Sequence, residues 1–404
     1  MNKISIYIII ALVLGTVLAA AQPGTDGKTT RIVITLDPQA AKENAIKAVE
    51  SNGGTFVRET LDKKLIFNIP SASLNNKISI LTIPDAAYIE EDVLIQIPTP
   101  NVIEASDTGR IQLMPNDPLY PQQWGMPVIG ANKMWDTTRG DPRVIVAVID
   151  SGVDYTHEDL AAVNSSLGWD FVNNDADPMD DNGHGTHVAG IIAATMNNGK
   201  GVAGVAPNVT VMPVKVCNRF GSCWTSDMAD GVRWAADHGA RILSISLGGT
   251  LPDPLTSDAT KYAVLNKGAL IIAAAGNNGL EQPSYPGAYP WVLAIGSLGY
   301  NGARASYSQY GSFLDLMAPG GSSDGTAEHD IVSTYPGNRY VYMAGTSMAT
   351  PHASGVAALY WSYNLSFTNK QVGTMLIKFA DDLGTPGWDK YYGYGRVDAY
   401  PQDG

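Results

Sequence analysis

Val144-Ile145-Val146-Ala147-Val148-Ile149 runs into Asp150-Ser151-Gly152. A continuous apolar, largely β-branched run without alternation is the pattern of a strand buried on both faces. A carboxylate at the C-terminal end of such a strand stands where open α/β sheets place their sites. Outward from this stretch, residues 209–216, 242–246, 269–275 and 291–295 read as further strands. Residues 184–195, 225–238 and 256–267 read as helices. The alternation predicts an α/β fold with a doubly wound, mostly parallel sheet over residues 116–404.

The chain ahead of residue 116 is patterned differently. Residues 31–36 alternate as a strand and 38–50 read as a helix. Residues 53–56 turn into a strand at 63–69, followed by a helix at 71–80 and strands at 87–91 and 93–97. This β-α-β-β-α-β order predicts a small α+β, ferredoxin-like domain over residues 30–98, with 99–115 as an extended linker. Residues 1–21 carry Lys3, an apolar stretch at 6–17 and Ala19-Ala20-Ala21, the pattern of a secretory signal peptide, and 22–29 is a polar linker. The apolar stretch is short for a membrane span. A secreted protein is expected.

Gly345-Thr346-Ser347-Met348-Ala349-Thr350-Pro351-His352 places a Ser just ahead of a helix-like run at 348–360. Pro351 falls early in that run, where its missing N–H costs little. Ser347 reads either as a helix cap or as a nucleophile beside free backbone N–H groups. Asn182-Gly183-His184-Gly185-Thr186-His187 sets a His among glycines before a small-residue helix. A Ser nucleophile needs a His base, and the His needs a carboxylate to fix its tautomer. Asp150, His184 and Ser347 supply the three.

These segments resemble the subtilisin-like serine proteases, the subtilases. The matching pieces are Val148–Val153-Asp154, His184-Gly185-Thr186-His187-Val188-Ala189-Gly190, Ser246-Leu247-Gly248-Gly249, Ala274-Ala275-Gly276-Asn277 and Gly345 to Pro351. The resemblance covers about residue 117 to the C-terminus, where residues 392–399 look like the family's closing segment. It implies a serine endopeptidase with Asp150, His184 and Ser347 as triad. Asn277 and the Ser347 N–H would be the oxyanion donors. Ser246, Leu247, Gly248, Ala274, Gly276 and Ser284 would form the substrate-binding walls and floor, with Gly248 letting the peptide approach closely. Asn278 and Ser284 are uncharged, which implies an uncharged P1 preference. A structural Ca²⁺ would sit among Asp117, Asp159 and Asn198 with carbonyls of Met196, Lys200 and Val202. The ferredoxin-like domain would be an inhibitory propeptide of a self-processing precursor, cut between residues 97 and 116. The insertion at 320–330 departs from the shorter members and lies on the approach to Ser347.

The two cysteines, Cys217 and Cys223, flank a turn-like Asn218-Arg219-Phe220-Gly221-Ser222. In an exported chain they read as a disulfide, with two free thiols as the alternative. By resemblance that loop edges the S4 subsite. A net charge of −13 argues against nucleic acid and anionic membrane as partners. Peptide or protein substrates and a monomer are expected. His184 and His187 lack the Cys or carboxylate a zinc site would need. Gly345-Thr346-Ser347-Met348-Ala349 approaches the G-x-S-x-G elbow, but that fold requires its acid and His after the Ser. Asp154 lies beyond the strand end, and His352 reads as helix support. His157, His238 and His329 read as surface or loop residues. A peptide-binding relative without catalysis would need a broken triad, and none is broken. A peptide-joining relative would share the triad.

Overall fold

The computed structural model describes residues 29–71, 83, 86–97, 103–104 and 115–400. The described residues fall into two compact units, those within 1–94 with 224–226 and those within 95–223 with 227–404. The signal-peptide stretch and the helix expected at 71–80 lie outside the described residues, except Ser71.

The first unit is an antiparallel sheet of Thr29–Leu36, Thr55–Glu59, Leu65–Pro70 and Ala86–Glu91, in the spatial order second, third, first, fourth. The helix Lys42–Glu50 buries Ala45 and Val49, four residues apart and hence on one face. They meet Ile32, Ile34, Leu65, Phe67 and Ile69. Residues 55–59, expected to begin in a turn, form a strand because Leu65–Pro70 offers them a ladder.

The second unit holds seven parallel strands. Their spatial order is Leu316–Pro319, Leu293–Leu298, Leu270–Ala274, Ile242–Ile245, Ile145–Asp150, Thr210–Lys215 and Trp169–Asp170. Ile145–Asp150 pairs with the next long strand on one side and with Ile242–Ile245 on the other. The winding therefore reverses at that strand, and the crevice outside its carboxyl end is where such sheets bind ligands. The helices His184–Ala193 and Thr346–Tyr363 are buried almost end to end, which is why their sequences are rich in Gly, Ala, Ser and Thr rather than amphipathic.

Thr346–Tyr363 begins two residues earlier than its apolar run suggests, so Pro351 lies inside the helix and not in its first turn. The N–H it lacks would have met the Ser347 carbonyl four residues back. Ser246 Oγ donates to that carbonyl instead, at 2.9 Å. The acceptor that the proline orphans is thus satisfied from another strand end.

The hairpin Ile331–Tyr335/Arg339–Met343, the strand Leu316–Pro319 and the helix Asn369–Lys378 add to the elements read from sequence. Within the expected linker, Ile103–Glu104 pairs with Tyr342 and Val341.

Candidate active site

Asp150 ends its strand fully buried, and its Oδ1 accepts from His184 Nδ1 at 2.8 Å and from the Ser151 N–H at 2.7 Å. Bonding at Nδ1 sets the tautomer and leaves Nε2 as the basic nitrogen. His184 opens its helix after Gly183, whose φ of 112° is left-handed and where a Cβ would strike the Tyr335 ring at 2.3 Å. Burial works against the charged form of His184. The adjacent Asp150, with Asp180 behind it, outweighs burial and raises the imidazole above its ordinary pKa.

Two further charged residues hold this corner. Asp180 Oδ1 accepts from Ser151 Oγ and from the Asn182 and Gly183 N–H groups, each at 2.9 Å. Its Oδ2 accepts from Thr186 N–H and Oγ1 at 2.9 and 2.6 Å. One buried carboxylate therefore ties the loop after Asp150 to the first turn of the His184 helix. Lys215, 1% exposed, donates from Nζ to the Ser151 carbonyl at 2.7 Å and pairs with Asp181. Sequence reasoning passed over Lys215 and reads Asp180-Asp181 as part of an acidic cluster ahead of His184, either a second ion site or solvated loop acids, a reading that misses the bonds Asp180 makes here. Their signals were present: a lysine closing an apolar strand, and an acid shortly before a glycine-flanked His.

Ser347 stands in the first turn of Thr346–Tyr363, 5% exposed. Its Oγ donates to the Ser246 carbonyl at 2.9 Å, reciprocating the bond from Ser246 Oγ. Asn277 follows the strand Leu270–Ala274. Its Oδ1 accepts from Thr346 N–H at 2.9 Å and Oγ1 at 2.8 Å. With Oδ1 engaged, Nδ2 is the free donor. A Cβ placed on Gly345 would lie 3.4 Å from Asn277 Nδ2 and 3.6 Å from Ser347 N. The two donors thus flank one point in space, which glycine keeps open.

Gly248 was expected to be small for the sake of an approaching peptide. In the structure its own chain demands it: a Cβ would sit 2.5 Å from the Tyr285 carbonyl and 3.0 Å from Ser284 Oγ. Gly249 and Tyr285 exchange N–H···O bonds of 2.9 and 2.7 Å, which brings buried Ser284 against the 246–249 wall. Leu247 and Ala274 are also buried, and Gly276 has a left-handed φ of 102°. Asn278, two residues on, is exposed. Cys217 and Cys223 are joined by a disulfide.

Asp117 and Asp159, both buried, meet Asn198. Asp117 accepts from the Asn197 and Asn198 N–H groups, and Asp159 from Asn198 Nδ2 at 2.7 Å and Val202 N–H at 3.0 Å. Burial pushes Asp159 up to about 7. Met196 and Lys200 lie on the same loop, with the Lys200 ammonium paired to Glu158. Among the described residues no three His, Cys, Asp or Glu side chains gather as a metal cage.

The competing residues have structural partners. His187 Nε2 lies between the Ile331 and Val341 carbonyls, and burial pushes its pKa down to about 3. His352 Nδ1 meets the Met348 carbonyl. Asp154 accepts from Thr156 and the Gly337 N–H. His157, read as a surface or loop residue, is buried, because Tyr340 packs edge-on against it and Asp159 N–H donates to its Nδ1.

The Subtilase family model matches residues 141–395. The thermophilic serine proteinase of Bacillus sp. (strain AK1) is 38% identical over 371 residues, covering 91% of this chain and 86% of that protein. Thermitase of Thermoactinomyces vulgaris is 43% identical over 288 residues, covering 71% of this chain and 98% of its own. Among solved structures, a protease from Pseudoalteromonas arctica PAMC 21717 superposes with a TM-score of 0.65 at 34% identity, covering 71% of this chain and 98% of that one. A buried carboxylate on a parallel strand end, bonded to a His at a helix start, is thus found in a chain with these relatives: it belongs to the subtilase family and is a subtilisin-like serine endopeptidase.

Proposed function

We propose that Ser347 is the nucleophile, His184 the general base and acid, and Asp150 the group that orients and stabilises the imidazolium. Ser347 Oγ attacks the scissile carbonyl while His184 Nε2 takes its proton. The Asn277 Nδ2–H and the Ser347 N–H receive the oxyanion, and His184 then protonates the leaving amine. Water repeats the sequence on the acyl-enzyme. The observation that carries this reading is the 2.8 Å Asp150–His184 bond at the carboxyl edge of the sheet. Ser246, Leu247, Gly248, Ala274, Gly276 and Ser284 line the substrate cleft, and the neutral Ser284 and Asn278 favour an uncharged P1 side chain.

The chain is proposed to be secreted as a self-inhibited precursor, with residues 1–21 as signal and 30–98 as inhibitory propeptide. What supports inhibition is the course of residues 95–97, at the end of that segment. The Ile97 N–H donates to the Gly221 carbonyl at 2.8 Å, and Ile95 lies 3.6 Å from a Cβ position on Gly249. That is strand addition to the cleft rim. The disulfide loop carries that rim and would stiffen it. Among the described residues no helix is long and apolar enough to cross a membrane. The protein acts as a monomer on peptide and protein substrates.

A structural Ca²⁺ is proposed at Asp117, Asp159 and Asn198 with carbonyls of Met196, Lys200 and Val202. Two buried carboxylates that accept from amide N–H groups, with no Lys, Arg or His ion pair to either among the described residues, fit a hard cation.

Expressing the native chain and Ser347→Ala, with mass spectrometry of each, tests the whole. The native chain loses its N-terminal segment between residues 97 and 116, and the variant stays intact. Equal processing of both would remove Ser347 from its role.

A further inference from the structure

We infer that Gln309 is a positioning residue for the oxyanion donor Asn277, which rests on the reading of Asn277 given above. Asn277 sits on a turn and not within a strand. Its Nδ2 is useful only if the backbone on either side is held, since displacing a catalytic group by about 1 Å can cost a hundred-fold in rate.

Gln309 does this from behind the turn. It is 2% exposed, and its polar groups are engaged with the walls around Asn277. Its backbone N–H donates to the Gly276 carbonyl at 2.9 Å, and its Oε1 accepts a long bond of 3.4 Å from the Asn278 N–H. These grip the residues on both sides of Asn277. Gln309 Nε2 donates to the Gln282 carbonyl at 2.6 Å, which anchors the amide itself. Gly276 is shaped for the contact: a Cβ there would fall 2.1 Å from Gln309 Oε1. Glycine at 276 therefore admits the Gln309 amide as well as permitting the left-handed φ of 102°.

The same short segment reaches the other oxyanion arm. The Tyr307 carbonyl accepts from the Gly279 N–H at 2.6 Å. Tyr307 OH meets the Gly320 and Gly321 carbonyls at 2.9 and 2.7 Å. The Gly345 N–H donates to the Gly320 carbonyl at 2.9 Å, two residues before Ser347. Residues 307–309 thus brace the Asn277 turn and the Ser347 segment from one side, and Gln309 is the member whose side chain acts on the Asn277 turn. A side chain that only filled space behind the pocket would have no need of these paired polar contacts.

A double-mutant cycle separates positioning from plain support. The native chain, Gln309→Ala, Gln309→Glu, Asn277→Ala and the Asn277→Ala/Gln309→Ala double variant are each made as full chains. Any that fail to self-process are matured by tagged native enzyme that is then removed. Each is assayed on a tetrapeptide anilide with an uncharged P1 residue. Gln309→Ala should lower kcat about ten-fold with KM within about two-fold, and the loss should shrink below about two-fold when Asn277 is already Ala. Gln309→Glu keeps the acceptor and the size but not the donor to Gln282, and should fall between native and Gln309→Ala, so the test survives if the alanine variant does not fold. Equal kcat loss in both backgrounds, or a loss carried by KM, overturns the inference while leaving Asn277 in place. A cost under about ten-fold for Asn277→Ala alone removes the donor's role itself, and with it this inference.

Discussion

Two corners of the second unit each bury carboxylates close together, and they resolve the problem differently. At Asp150 the chain supplies its own nitrogen partner, His184 at 2.8 Å, while Lys215 on the neighbouring strand holds the Ser151 carbonyl and pairs with Asp181. At Asp117 and Asp159 the acids accept from amide N–H groups, the Tyr340 hydroxyl also faces Asp159, and burial prevails, pushing Asp159 up to about 7. Burying a charge is costly unless it is paired. The first corner pairs its acid with a histidine, and the second is where a cation is proposed. The contrast separates catalysis from stability: altering one corner should change rate, and altering the other should change melting.

The largest effect should come from the first corner. Asp150→Asn should lower kcat about 10⁴-fold, because the amide favours the wrong imidazole tautomer, while KM and Tm stay close to native. A matching collapse of Tm would show that the corner is mainly a structural device. The second corner should behave in reverse. Chelation by EDTA should lower Tm, with calcium at 100 to 1,000 times its Kd returning about 3–4 kcal/mol. In Asp159→Ala the chelator should have no further effect. A native chain indifferent to chelator would leave that corner with no cation to bind.

The histidines give a smaller, pH-dependent contrast. His184, raised by Asp150 against the pull of burial, must be neutral to act, so kcat/KM should fall as pH drops through a value above the ordinary 6.5. Its contribution to stability has the opposite course, being complete below 6.5 and lost as pH rises through the raised folded value. His187 and His352, held down to about 3 and about 4, must stay neutral in the fold. Below the ordinary 6.5 the unfolded chain gains protons that the fold refuses. Each should therefore remove up to about 1.4 kcal/mol of stability per pH unit as pH falls toward 4. Urea unfolding at successive pH values reads this slope, and His187→Gln should flatten it. An unchanged slope in that variant would show that His187 is not what acid unfolds.

What could be read in the sequence follows from range. The parallel strands were legible because each is an apolar run bounded by a turn, and Asp150, His184, Ser347 and Asn277 stand out as candidates because each sits in a short motif at such a boundary. The hairpin Ile331–Tyr335/Arg339–Met343 was not, since its two polar-rich strands are stabilised by each other and by the buried His187 beneath them. Partnerships across long separations were equally hidden. The Ser246 hydroxyl that compensates Pro351 is far away in sequence, as are the Tyr285 carbonyl that requires Gly248 and the Thr346 groups that orient Asn277. A motif shows which residue types are present; only the fold shows which of their atoms are already engaged.

The most direct test of the account treats the mature enzyme with a fluorophosphonate and maps the adduct by mass spectrometry. The account predicts one adduct, on Ser347, with labelling slowed by orders of magnitude in His184→Ala and in Asp150→Asn. Modification at another residue, or undiminished labelling of Ser347 in both variants, would contradict it.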